Sequence, residues 1–211
     1  NRTSFYQLIQ KASHKYPVVK HYKEDLKEYA DLRNAIVHER SDGHVIAEPN
    51  EKAVTQLEKI KNNLIAPPCV YPIFQANVLS FDINKSVGDA VEAMKKNSFS
   101  QVLISKNGIF ESILTANTVS RWLGSNIKED VFSLSENTIG SILKYAENFE
   151  KYEFIPKNQS VFETINLINK TEKEGCRLEA AFITENGKKS EKIIGILTIA
   201  DFPKLIKEIT R

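Results

Sequence analysis

The sequence is poor in several things, and each shortage excludes a class of protein. Only two cysteines occur, Cys69 and Cys176, far apart and without a CxxC partner. No zinc site or disulfide framework can be drawn from them, and idle thiols in a reducing cytoplasm are expected. No apolar run reaches the roughly 18 residues of a membrane-spanning helix, and no signal-peptide pattern is present. A cytoplasmic protein making no membrane contact is therefore expected. A formal net charge of +2 gives no global field to recruit nucleic acid or a bilayer. There are four histidines, none of them after residue 44, so residues 72–211 contain no histidine. That region also shows no nucleophile triad, P-loop, paired catalytic carboxylates or metal cluster. No metal and no obligatory cofactor are expected. The chain begins with Asn1 rather than Met, so it is read as a piece of something longer.

What is present is ordinary globular material: 41% hydrophobic and 27% charged residues over a length that suits one large domain or two modest ones. Residues 1–23 carry Arg2, Lys11, Lys15, Lys20 and Lys23 with no acid. This basic face reads first as a solvated helix surface. His14 and His21 share a helix face, but two histidines alone make a poor metal site. Residues 4–39 are expected to be helical, with Pro17 opening a second helix. In it Val18, Tyr22, Leu26, Tyr29, Leu32 and Ile36 recur at helical spacing. A further helix is expected over 50–65, with Asn50 as N-cap and Val54, Leu57 and Leu64 on one face. Three prolines within residues 66–72 mark a boundary.

Beyond that boundary the pattern repeats. "INKSVGDAVEAMKK" (83–96) lines up with "KNQSVFETINLINK" (157–170). Ser86 and Ser160 are the expected N-caps, with Asp89 and Glu163 at capping-box spacing. "VLISKNG" (102–108) lines up with "AFITENG" (181–187), and both end in the Asn-Gly signal of a two-residue hairpin turn. "IFESILTANTVSRWL" (109–123) lines up with "IIGILTIADFPKLI" (193–206). Each half thus reads strand–helix–strand–strand–helix, and two such small units are expected to pack together. The expected fold class is mixed, α+β or α/β: two β-α-β-β-α repeats after a small helical domain. The expected domains are 1–66, 72–124 and 138–211.

The repeat resembles the CBS-domain pair, or Bateman module. The resemblance rests on this architecture and on one motif: Gly, two apolar residues, Thr or Ser, two residues, Asp. The second copy has it intact in "GILTIAD" as Gly195, Thr198 and Asp201. The first copy reads "SILTANT": Ser112 replaces the glycine, Thr115 is kept, and Thr118 replaces the aspartate. From the residues alone, Thr198 and Asp201 cap the last helix, or they hold the ribose and phosphate of a nucleotide at a strand-to-helix turn. The resemblance implies the second role: an adenine nucleotide (AMP, ADP or ATP, less readily S-adenosylmethionine) as a regulatory ligand. It implies a base lying against Phe154, Ile155 and Pro156, with Arg177 and Lys204 as candidate phosphate partners. Thr115 is the matching residue of the first copy, where the missing carboxylate implies at most one well-formed site. Flat dimers are common in such pairs, so a homodimer is expected. A ligand-free dimerisation module is the structural alternative.

"RNAIVH", residues 33–38, resembles the Arg-polar-x₃-His signature of HEPN domains, many of them metal-independent ribonucleases that act as dimers. It implies Arg33, Asn34 and His38 as candidate catalytic residues and RNA as a possible contact. General acid-base chemistry near neutral pH suits His, and a fixed cation on phosphate suits Arg. Five residues along a helix are about 140° apart, so Arg33 and His38 do not share a face. The alternative has His38 closing the helix and Arg33 paired with Glu28 or Asp31. The overall expectation is a regulatory signalling protein in which the pair senses a nucleotide and informs the N-terminal helices. A gated ribonuclease is the enzymatic alternative.

Overall fold

A computed structural model describes residues 3–38, 40–41, 44–45, 48–127, 133–147 and 150–210, without the side chains of His38, Arg40, Ser41, His44, Val45 and Glu150. The chain divides into two compact units. One contains Asn1–Val70, Asn158–Lys170 and Phe202–Arg211; the other contains Tyr71–Lys157 and Thr171–Asp201. Among the described residues no helix is long and apolar enough to cross a membrane.

The first unit holds α1 (Phe5–Lys15), α2 (Pro17–His21), α3 (Lys23–His38), a small antiparallel pair β1 (Arg40–Ser41) and β2 (His44–Val45), and α4 (Glu51–Ile65). Ser4 and Gln7 form a reciprocal capping box on α1. Pro17 stands in the first turn of α2, where its missing N–H costs nothing. The helix expected to run on from there breaks at Tyr22, whose φ of −94° and ψ of 16° separate α2 from α3. The break turns Tyr22 inward. It is 3% exposed, its hydroxyl accepts from Asn63 Nδ2 at 2.7 Å and donates to the Ile209 carbonyl at 3.4 Å. Its ring meets Phe162 edge-on at 5.7 Å. Burial holds the His21 imidazole below its ordinary pKa, with Asp25 partly opposing. On α4 the buried residue is Ile60; Val54 and Leu57 stay about 41% exposed and line a groove of about 280 Å³ with Tyr29, Leu32 and Ile36.

The second repeat supplies the rest of this unit through α9 (Val161–Lys173), most of which lies in it, and α10 (Phe202–Thr210). Ser160 and Glu163 make the expected capping box: Ser160 N–H donates to Glu163 Oε2 at 2.8 Å, and Glu163 N–H donates to Ser160 Oγ at 3.2 Å. Cys69 bridges Ser160 in antiparallel fashion, with Val161 N–H on the Pro68 carbonyl and Val70 N–H on that of Gln159.

The second unit opens within a short turn, α5 (Val70–Ile73), and contains two three-stranded sheets. β3 (Ser80–Asp82), α6 (Val87–Asn97), β4 (Gln101–Lys106), β5 (Ile109–Thr115) and α7 (Ala116–Ser125) form the first repeat. A single turn α8 (Ile139–Ile142) and a 3₁₀ turn at Leu143–Tyr145 follow. The second sheet is β6 (Glu150–Pro156), β7 (Arg177–Thr184) and β8 (Gly195–Thr198), ending in a 3₁₀ turn at Ile199–Asp201. In each sheet the first two strands are parallel and the last two antiparallel, which is the expected strand–helix–strand–strand–helix order. The first repeat's core is Val87, Ala90, Met94, Ile104, Leu114 and Trp122, completed by Ile139 and Ile142 from the segment ahead of the second repeat. That segment bridges Ser86 through Thr138, the same contact that Cys69 makes with Ser160. Each repeat's cap serine is thus paired by the chain preceding the other repeat.

The two Asn-Gly sequences behave differently. Asn107 (φ 54°) and Gly108 (φ 77°) both have positive φ and close a two-residue hairpin as expected. In the second Asn-Gly only Gly187 has positive φ, so Asn186 departs from the turn conformation that the dipeptide signals, and a ten-residue connection separates Thr184 from Gly195. Asn186 is drawn into side-chain bonding: its N–H and Nδ2 donate to Glu191 at 2.7 and 2.8 Å. Gly187 and Lys188 N–H groups donate to the Thr184 hydroxyl.

Candidate ligand-binding site

The residues expected to form the site fall on the second sheet, and its register sorts them. Thr198 pairs with Ala180, which pairs with Tyr152; Gly195 pairs with Ile183, which pairs with Ile155; Pro156 pairs with Thr184. Ala180 and Thr184 are four residues apart, roughly 13 Å along a strand. Thr198 and Pro156 therefore stand at opposite ends of the sheet. Ile155 also points to the other face, because side chains alternate along a strand. Phe154 shares the Thr198 face but packs among aromatics, with ring centroids 5.0 Å from Phe110 and 5.4 Å from Phe182. The structure does not bring Phe154, Ile155 and Pro156 to Thr198 and Asp201. The residues it does bring into the Thr198 row are Tyr152 and Ala180, and no local pattern announces them, because register is a long-range property.

At Thr198 the chain leaves β8 and turns into α10. Asp201 Oδ2 accepts from the Thr198 N–H at 2.8 Å and from its hydroxyl at 3.1 Å. Both residues are partly exposed. Oδ1 has no partner among the described residues. The arrangement is a helix-start cap with one carboxylate oxygen left over, which can accept from a ligand hydroxyl. Tyr152 is half-buried in the same row, and burial, aided by the charge of Glu111, keeps its phenol protonated above the ordinary tyrosine range. Gly195 has a packing reason of its own. A Cβ there would lie 2.4 Å from the Phe74 carbonyl oxygen, because the segment at Gln75 bridges β8 at this residue.

The first repeat offers the same positions with other chemistry. Gln101 pairs with Thr115 as Ala180 pairs with Thr198. Thr115 is 3% exposed and Thr118 0%. Their hydroxyls lie 3.0 Å apart, and the Thr118 N–H donates to Thr115 Oγ1 at 3.1 Å. Gln101, where the second repeat has alanine, donates through Nε2 to the Glu179 carbonyl at 2.9 Å, and its Oε1 is buried without a partner.

Arg177 opens β7. Its guanidinium contacts Glu179 and lies 3.9 Å from Glu147, which also holds Arg121 at 2.9 Å. Lys204 is an exposed residue of α10. In the other unit Arg33 and Asn34 are exposed on α3, and Arg33 donates to Asn34 Oδ1 at 3.2 Å. Asp31, an expected partner of Arg33, accepts instead from the Tyr6 hydroxyl. The side chain of His38 lies outside the described residues.

No protein-family model and no curated protein matches the chain. Solved structures do. The CBS domain of a bacterial CNNM/CorC-family Mg²⁺ transporter, in complex with ATP, matches 74% of this chain and 97% of its own at 16% identity and a TM-score of 0.50. The fold is that of CBS domains. The CBS-domain pair of protein MJ0100, in complex with 5′-methylthioadenosine and S-adenosyl-L-methionine, covers 67% of this chain and 97% of its own at 15% identity, with a TM-score of 0.48. A conserved CBS-domain protein from Thermoplasma acidophilum covers 67% and 74% at 17% identity and a TM-score of 0.46. In CBS terms, β3–α7 is the first repeat and β6–α10 the second.

Proposed function

We propose that this chain is a regulatory ligand-binding protein whose second CBS repeat holds an adenine nucleotide at Thr198 and Asp201, while the first repeat is silent. One observation carries the reading. The partly exposed Asp201 carboxylate keeps a free oxygen, whereas its counterpart Thr118 is fully buried and has no carboxylate to offer. A fixed carboxylate accepting from both hydroxyls of a ribose needs that free oxygen. Gln101 turns to the Glu179 carbonyl at the place in the first repeat that the smaller, buried Ala180 takes in the second. Tyr152, partly exposed and packed edge-on against Phe110 as Phe154 is, stands nearest to Thr198 in register and is the candidate to meet the base. The ATP held by the transporter's CBS domain makes adenine nucleotides the first class to test. Binding regulates only if it favours one arrangement of the protein over another.

The test is thermal unfolding with AMP, ADP, ATP or S-adenosylmethionine, beside the Asp201→Asn variant. Ligand at 100 times its dissociation constant adds about 2.7 kcal/mol. A shift in the parent that disappears in Asp201→Asn is expected. A shift of equal size in both proteins, or none with any compound, would sink the reading.

A further inference from the structure

Two helices of the first unit carry apolar stripes that begin in its core and run out of it. On α3 Leu26 is buried, while Leu32, further along the same face, is 38% exposed. On α4 Ile60 is fully buried, while Leu57, about one turn back, is 41% exposed. Tyr29, Leu32 and Ile36 from α3 and Ala53, Val54 and Leu57 from α4 make the two walls of one groove. Spacings of three and four keep each stripe on one side of its helix. Both walls lie in the same compact unit, on helices that precede either repeat.

The groove carries one charge of each sign, one on each wall. Arg33 lines it from α3 and Glu58 from α4, and both are exposed. They do not pair within the chain. Arg33 donates to Asn34 Oδ1 at 3.2 Å, and neither residue joins an ion pair among the described residues. Beside these two charges only the Tyr29 hydroxyl could orient a small polar ligand, so the lining suits apolar side chains. A groove between two helical ridges, with opposite signs on opposite walls, is its own complement under a two-fold rotation.

We propose that this groove is a self-association surface, in which α3 and α4 of two copies pack as four helices across a two-fold axis. Arg33 of each copy then faces Glu58 of the other, twice per dimer. The apolar walls supply the affinity, and the two charge pairs fix the register. This pairing uses helices outside the repeats, unlike the flat pairing through the repeats' own helices. It rests on no ligand at Thr198 or Asp201.

The experiment is sedimentation equilibrium of the chain, its Arg33→Glu and Glu58→Arg variants, and an equimolar mixture of the two variants. The parent is expected to dimerise below about 100 μM. Each variant alone opposes like charges at both contacts, and its dimer should weaken at least tenfold. In the mixture reversed charge meets reversed charge and native meets native, so both pairs are again of opposite sign and the dimer should return. A parent that stays monomeric overturns the proposal. A dimer indifferent to both reversals also overturns it and assigns the pairing to another surface. So do variants that weaken the dimer without recovery on mixing, because the two charges then do not meet across the copies. Should either variant fail to fold, hydrogen exchange in the parent decides. Amides at residues 29–37 and 53–58 should exchange more slowly as protein concentration rises, and exchange independent of concentration overturns the proposal.

Discussion

The two repeats share a topology and differ at one end. In the second, Thr198 and Asp201 form a cap at a partly exposed turn, beside a small, buried Ala180 in the neighbouring row. In the first, Thr115 and Thr118 form a cap of the same spacing that is sealed from solvent, and Gln101 crosses to the Glu179 carbonyl. The backbone solves the same problem twice, satisfying the N–H groups that every helix start leaves over. Only one solution leaves chemistry to spare. A capping motif becomes a binding motif when its acceptor has more lone pairs than the helix needs and a face on solvent.

The strongest way to break this comparison is to give the first repeat its missing acid. Thr118→Asp places a carboxylate where the present side chain is fully buried. An uncompensated buried charge costs about 3–5 kcal/mol. Denaturant unfolding should show a loss of that order, and nucleotide titration should show no second equivalent. A stable variant that binds a second equivalent would mean that the repeats differ by one residue and not by their surroundings.

Gly195 and Ser112 give a second, smaller contrast. Gly195→Ala drives a methyl against the Phe74 carbonyl oxygen, a backbone atom that cannot rotate away. Overpacking of this kind costs about 1–3 kcal/mol. Ser112→Ala at the matching place should change stability by less than about 0.5 kcal/mol. Equal effects in thermal melts would show that the glycine answers to the ligand motif rather than to the chain at Gln75.

Much of this architecture could be read from local chemistry. Ser86, Ser160 and Asn107–Gly108 act as their spacing predicts, because caps and tight turns are settled within four residues. The strand–helix–strand–strand–helix order followed from the repeat. What local pattern could not supply was register. It separates Pro156 from Thr198 by the length of the strand, and it brings in Tyr152 and Ala180. Nor could it foresee that Tyr22 ends one helix to reach Asn63 and Ile209, or that Glu147 gathers Arg121 and Arg177. Each of these depends on residues 18 or more positions away.

Gln101 sharpens the comparison by a smaller amount. Gln101→Leu removes a buried orphan oxygen, which is favourable, and deprives the Glu179 carbonyl of its donor, which is not. Each effect is on the order of 1 kcal/mol, so the net change in unfolding free energy should stay within about 1 kcal/mol of zero. A much larger loss would mean that the Gln101–Glu179 bond, rather than apolar packing among Leu103, Phe110 and Phe182, joins the two sheets.

The smallest expected effect lies in the connections between the last two strands. The first repeat turns on Asn107–Gly108, whereas the second needs Glu191 to hold its longer loop. Bonds from the Asn186 side chain and N–H hold the Glu191 carboxyl down at about 2. A carboxylate whose folded pKa is depressed contributes its stability above the ordinary value near 4.5, and the contribution fades as pH falls toward 2. The parent should therefore melt slightly higher than Glu191→Gln at pH 6, with the gap closing progressively below pH 4.5. Because Glu191 lies at the surface and is partly exposed, solvent screens the interaction and the gap should be small. A gap independent of pH would assign the loop's order to the Thr184 hydroxyl, which receives the Gly187 and Lys188 N–H groups and does not titrate.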